Sequence, residues 1–160
     1  MTIPVSLTPL SPALAHSLRQ VTVAPDQVVF SGQPAAFIYL NDPAIDIHVM
    51  RYGDQVAGMF RIDRAYHTHY PFADPATFGL RTFLVDQTLQ GRGIATATLR
   101  LLQAYLRDHY RDANAIYLTV NLRNPVARKV YLDGGFHDTA QQWQHGPAGP
   151  QHILKLDLGV

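Results

Sequence analysis

Cysteine is missing from this chain of 160 residues, and so is glutamate, since all twelve acidic residues are aspartates. The first absence excludes disulfides, thiolate metal sites and any covalent cysteine intermediate. The second narrows the candidates for a general base to aspartate and histidine. No apolar run approaches the roughly 20 residues of a membrane helix, so no membrane partner is expected. The start, Met1-Thr2-Ile3-Pro4-Val5, lacks the basic-then-apolar order of a secretory signal, and the cytoplasm is the expected location. Charge of one sign is also scarce: the formal balance is +1, with no block of like charges, which argues against a nucleic-acid partner. What is present, 47% apolar residues, suits one domain spanning residues 1–160 with a sizeable core.

The most informative segment is Leu84-Val85-Asp86-Gln87-Thr88-Leu89-Gln90-Gly91-Arg92-Gly93-Ile94-Ala95, where an apolar strand enters a glycine-bearing turn that becomes a long helix. Backbone N–H groups at a helix N-terminus lack intrahelical partners, and the helix dipole adds partial positive charge, so such a turn holds a pyrophosphate with few lysines. Gly91 and Gly93 let the backbone come close to the anion. No Gly-Lys-Ser or Gly-Lys-Thr follows, which excludes a Walker loop, and Thr96 stands where a dinucleotide fingerprint needs its third glycine. Taken alone, the turn reads equally well as an ordinary strand-to-helix connection with a glycine N-cap.

Elsewhere the pattern alternates strands and helices without internal repeats. Ile3–Leu7 reads as a strand, and Ser11-Pro12 starts a helix to about Arg19 that turns Leu14 and Leu18 inward. Pro25-Asp26 signals a turn, and Gln33–Tyr39 a short second helix interrupted by Asn41-Asp42-Pro43. Alternating apolar residues in Ile45–Met50 and Gln55–Ile62 flank a hairpin turn at Tyr52-Gly53-Asp54. Asp63–Thr77 has turn composition and reads as a long connection. Phe78–Val85 suits a central strand, and the helix from near Gly91 reaches about Tyr110 with Ile94, Leu101, Leu102 and Tyr105 as its inward stripe. Ala115–Val120 is the next strand. Pro125–Asp133 is a helix capped by Asn124 and stopped by Gly134, and two final strands turn at Gly146-Pro147-Ala148-Gly149-Pro150.

Gln90, Gly93 and Ala95 form the pattern Gln-x-x-Gly-x-Ala, followed in order by the strand Ile116–Val120, Asn121, Asn124, Ala127, Tyr131 and Gly135-Phe136. This series over residues 80–136 resembles the acyl-CoA site of the GNAT superfamily of N-acetyltransferases. The resemblance implies an α+β fold: a mostly antiparallel sheet of about six to seven strands with a splayed parallel pair, and about four helices. It implies acetyl-CoA as cosubstrate, held by Leu84, Val85, Gln90, Gly91, Arg92, Gly93, Ile94, Ala95, Asn124, Ala127 and Tyr131. Within that set Gln90 would brace the turn, Asn124 would lie beside the pantetheine arm, and Ala127 would leave the arm room to pass. A backbone N–H near Leu84 or Val85 would polarise the thioester carbonyl. Tyr131, two helical turns beyond Asn124 on the same face, would be the general acid toward the leaving sulfur. Asn121 reads first as a polar strand terminator.

Many family members use a glutamate as base, and this chain has none. Asp63, His67, His69 and Asp86 are the candidates near the substrate end, with His69 preferred on its ordinary pKa and Asp86 reading first as the residue that starts a turn. His67-x-His69 is an incomplete metal site, so no metal is expected. Ala24-Pro25-Asp26-Gln27-Val28-Val29-Phe30, Gly58–Asp63 and Leu80–Asp86 resemble bacterial diamine and polyamine acetyltransferases, although a polycation should favour a carboxylate-lined pocket and only scattered aspartates such as Asp42, Asp46, Asp63 and Asp74 are on offer. The expected partner is therefore a small-molecule primary amine, with direct acetyl transfer. A protein or peptide amine as acceptor, or an acyl-CoA-binding sensor of little activity, is the alternative. Apolar edge strands could support a homodimer.

Overall fold

The computed structural model describes residues 4–24, 38 and 42–159. Seven strands form one sheet in the order β1-β2-β3-β4-β5-β7-β6: β1 Val5–Pro9, β2 Ile45–Tyr52, β3 Gln55–Asp63, β4 Thr77–Val85, β5 Ala115–Asn121, β6 His137–Trp143 and β7 Gln151–Asp157. All neighbours are antiparallel except β4 and β5. Three α-helices stand among the described residues, α1 Pro12–Arg19, α2 Ile94–His109 and α3 Pro125–Asp133, with short 3₁₀ turns at Tyr66–Thr68 and Gln87–Leu89. The turn at Pro25-Asp26 and the helix over Gln33–Tyr39 expected from sequence lie outside the described residues.

Local chemistry sets the boundaries. Pro12 occupies the first turn of α1, where its missing N–H costs nothing, although the Ser11 side chain makes no capping bond. Gly53 at φ 62° turns the β2–β3 hairpin. Asn124 Oδ1 accepts the Ala127 N–H at 3.3 Å to cap α3, and Gly134 ends that helix.

Side chains alternate across the strands, so the sheet feeds two cores. Met50 and Phe60 join Leu99, Leu102 and Leu106 of α2 in the larger cluster, while Val49 and Met59 pack with Leu18 of α1 on the other face. The inward stripe of α2 differs from the sequence expectation: Ile94, Thr98, Leu99, Leu102 and Leu106 are buried, whereas Leu101 is 42% exposed. Leu101 sits about 100° around the helix from Leu102 and falls off the edge of the stripe. Tyr105 is partly buried, its hydroxyl turned to His48 of β2 at 2.6 Å.

The feature that makes room for a ligand is the short pairing of β4 with β5. It covers only Thr77–Ala115, Phe78–Ile116 and Gly79–Tyr117, after which the two strands run on unpaired with each other to Val85 and Asn121. At that point β4 carries a bulge: Arg61 pairs with Thr82 and Ile62 with Leu80, leaving Arg81 as the extra residue. A bulge bends its strand and increases local twist, which is the physical reason for the parting. Gly79, the last paired residue of β4, is obligatory in size, since a Cβ there would stand 1.9 Å from the Tyr66 ring.

Candidate active site

The gap between β4 and β5 opens into a cavity of about 870 Å³. Its walls include Leu84 and Val85 of β4, the turn Gln90–Ala95 apart from Arg92, and Asn124, Ala127 and Tyr131 of α3. The residues expected to hold the cosubstrate, Arg92 apart, thus line one groove. Arg92 is exposed outside that wall.

Gly91 and Gly93 adopt φ of 81° and 77°, and nothing lies within 4 Å of where a Cβ would sit on either, so their requirement is left-handed backbone rather than space. The first intrahelical bond of α2 runs from Ala97 N–H to Gly93 O at 2.9 Å, which leaves the N–H groups of Ile94, Ala95 and Thr96 without acceptors in the helix. No side chain of a described residue caps them. Gln90 reaches back to Val85 O only at 3.5 Å, a weak brace. Asn124 spends its oxygen on the cap, and its amide nitrogen makes no bond to a described residue.

Tyr131 is flanked by Phe83 and Phe136, each ring centroid 5.7 Å away. Its hydroxyl bonds to no other described residue, and burial raises its pKa far above the ordinary value of 10.0, so the phenol keeps its proton at neutral pH.

A second cavity, about 380 Å³, shares Leu80, Arg81, Thr119, Pro147 and Gln151 with the first. His69 lines this smaller space and is exposed. Asp86 lines neither cavity, because its carboxylate accepts the Thr88 N–H at 2.8 Å and the Thr88 hydroxyl at 2.6 Å and so starts the 3₁₀ turn. Asp63 is buried against Arg81 (3.0 Å) and also accepts the Ala65 N–H. Asn121 ties the Gly146–Pro150 turn over both cavities, donating to Ala148 O at 2.9 Å. Among the described residues no group of three or more histidine or acidic side chains is placed to hold a metal.

Sequence reasoning did not single out the residues that give the smaller cavity its character: Tyr66, Tyr70, Arg81, Trp143 and His145. The available signals were Arg81 as the lone charge in an otherwise uncharged strand and Trp143 as the sole tryptophan.

An elongated thioester with an anionic middle suits this groove. The edges of β4 and β5 that do not pair with each other can offer backbone groups to an amide-bearing arm, the open first turn of α2 can offer N–H groups to a pyrophosphate, and the Tyr131 phenol stands on the wall of the larger cavity. The fold and groove thus define a protein of the acyl-CoA-dependent transferase class. Residues 15–136 match the acetyltransferase (GNAT) family model, and the chain belongs to that family. It is 26% identical over 160 residues to the uncharacterized N-acetyltransferase YbbJ of Bacillus subtilis (strain 168), covering 96% of this chain and 98% of that one. Among solved structures it is similar in fold to AAC(6')-Ib in complex with paromomycin and acetyl-CoA, with TM-score 0.76, 17% identity and coverage of 96% and 93%. The spermidine N-acetyltransferase of Vibrio cholerae in complex with CoA and spermine gives TM-score 0.70, 15% identity and coverage of 96% and 95%. The chain is an acetyl-CoA-dependent N-acetyltransferase.

Proposed function

We propose that the whole chain works as one domain that moves an acetyl group from acetyl-CoA directly to the primary amine of a small molecule. The observation that carries this reading is the junction of the two cavities at the parting of β4 and β5, with Tyr131 on the wall of the larger and His69 on the wall of the smaller. Acetyl-CoA supplies the activated acetyl group. The Gly91–Ala95 turn holds its pyrophosphate, with Arg92 as exposed counter-charge, while Asn124 and the open edge of Leu84–Val85 engage the arm. His69, directly or through water, takes a proton from the acceptor ammonium, and the freed nitrogen forms the C–N bond as the C–S bond breaks. Tyr131 gives its proton to the departing sulfur, so a neutral thiol leaves, and the second proton, shed by the nitrogen as it becomes an amide, returns through water to the Tyr131 phenolate.

The cytoplasm, where acetyl-CoA is made and spent, is the proposed location. A homodimer would pair through β1 or β6, the two edges of the sheet, and light scattering decides it.

Thiol release from acetyl-CoA, followed with a thiol reagent against a panel of amines, tests the transferase, and the cysteine-free chain adds no background. Amine-dependent release is expected. Binding of acetyl-CoA without release by any amine would instead mark an acyl-CoA sensor.

A further inference from the structure

The walls of the acceptor cavity carry a charge pattern opposite to the one that a polycation requires. No aspartate lines either cavity among the described residues, whereas Arg81 lines both and Arg123 the larger. Each aspartate near this end has a partner already. Asp63 holds Arg81, Asp46 pairs with Arg64 at 3.1 Å, Asp42 accepts the Ala44 N–H and Asp74 the Ala76 N–H, both at 2.9 Å. The stretches 25–37 and 39–41, outside the described residues, contain one acidic residue, Asp26, and no basic one. One carboxylate cannot balance several ammonium groups in a partly desolvated pocket.

What the cavity does present is a mainly polar lining with a cation, beside the partly exposed rings of Tyr70 and Trp143, while Tyr66 is buried behind them. Tyr66 stacks on Tyr70 at 4.2 Å, Trp143 tilts against Tyr70 at 5.1 Å, and His145 meets Trp143 edge-on at 4.9 Å. The Arg81 guanidinium lies over the Tyr66 and Tyr70 rings at 5.4 and 5.1 Å, so the faces that would attract a ligand cation are already engaged by one. Arg81 donates through Nε to Asp63 and through Nη1 to the Tyr70 hydroxyl at 3.1 Å, and Nη2 makes no hydrogen bond to a described residue. With its side chain 26% exposed, that nitrogen remains open to an acceptor group of a ligand.

Resting on the transferase reading above, we propose that the acceptor is a monoamine with a carboxylate and an aromatic or planar body, its carboxylate on Arg81 and its body beside Trp143. Polyamines and aminoglycosides are excluded by the same charges.

Trp143 is the sole tryptophan, so its emission reports acceptor binding without turnover. With the full chain loaded with coenzyme A, L-phenylalanine produces a saturable change, and spermidine and kanamycin at equal concentration produce none. Phenethylamine, which lacks the carboxylate, binds about tenfold more weakly than L-phenylalanine, and Arg81→Gln removes that difference. The comparison of the two ligands on the unaltered chain stands even if Arg81→Gln, which strips buried Asp63 of its partner, does not fold. Tighter binding of spermidine or kanamycin, or no response to either aromatic amine, overturns the proposal. Thiol release from acetyl-CoA is followed alongside. No release with any amine of the panel overturns the transferase reading and the acceptor assignment with it, whereas release with spermidine only overturns the acceptor assignment alone.

Discussion

Tyr131 lies between Phe83 and Phe136 on the wall of the larger cavity. Desolvation keeps the phenol neutral, and the flanking rings leave its hydroxyl without a competing acceptor among the described residues. Removing the hydroxyl leaves the ring packing intact, so Tyr131→Phe should fold normally. Turnover falls on the order of 10²-fold while KM for acetyl-CoA stays within about twofold, because a general acid acts in the transition state and not in ground-state binding. Steady-state kinetics at saturating acceptor check this, and unchanged kcat would remove Tyr131 from the chemistry. The role of this residue is what the resemblance to the family implies, and its helical spacing from Asn124 places the two on one face of α3, which is held by local signals at both ends. Arg81 offered no such spacing: its setting depends on Asp63, Tyr66 and Tyr70, which reach it from other segments.

Elements are where the sequence spoke most clearly, since caps, turns and periodicity act over a few residues. Thus the Gly53 hairpin, the Asn124 cap and the glycine-led start of α2 all stand where they were expected. The cradle gives a sharp test. Gly93 has φ of 77° with open space around its Cβ position, so Gly93→Ala meets backbone strain and no clash. The cost is about 1 kcal/mol of stability, read as a Tm lower by roughly 2–4 °C. If the turn binds pyrophosphate, KM for acetyl-CoA rises while KM for the acceptor does not. An unchanged KM for acetyl-CoA would leave Gly93 only a helix start. What local signals could not supply was the length of the β4–β5 pairing, because the bulge at Arg81 arises from register with β3. Nor could they bring residues 66–72 and 143–145 together as one aromatic wall, which is a product of chain distant in sequence meeting across the sheet. The exposed Leu101 shows the same limit, since an apolar residue at the stripe's edge is buried only if a neighbour covers it.

At the scale of the whole molecule, the sheet is joined to α2 by a buried polar cluster remote from the acetyl site. His48 of β2 is 2% exposed, stacks on Phe60 at 5.1 Å, and bonds through Nδ1 to the Tyr105 hydroxyl at 2.6 Å and through Nε2 to the Tyr110 hydroxyl at 2.7 Å. Tyr110 in turn donates to Asp46 at 2.7 Å, so its oxygen accepts from His48 while Tyr105 donates to the ring's other nitrogen. A neutral imidazole satisfies that chain of bonds, and a protonated one cannot accept from Tyr105. Burial, with His109 nearby, lowers the His48 pKa from 6.5 to about 4, and Asp46 opposes this only in part. Between those two pH values the unfolded chain binds a proton that the folded chain refuses, so the contribution is complete above pH 6.5 and is lost as pH falls toward about 4. From pH 7 to 5 this group alone accounts for a loss of about 2 kcal/mol. Urea unfolding at the two pH values measures it. His48→Gln, which lowers stability at both, should flatten the difference by about that amount, whereas an unchanged pH dependence would show that His48 titrates alike in the folded and unfolded chain.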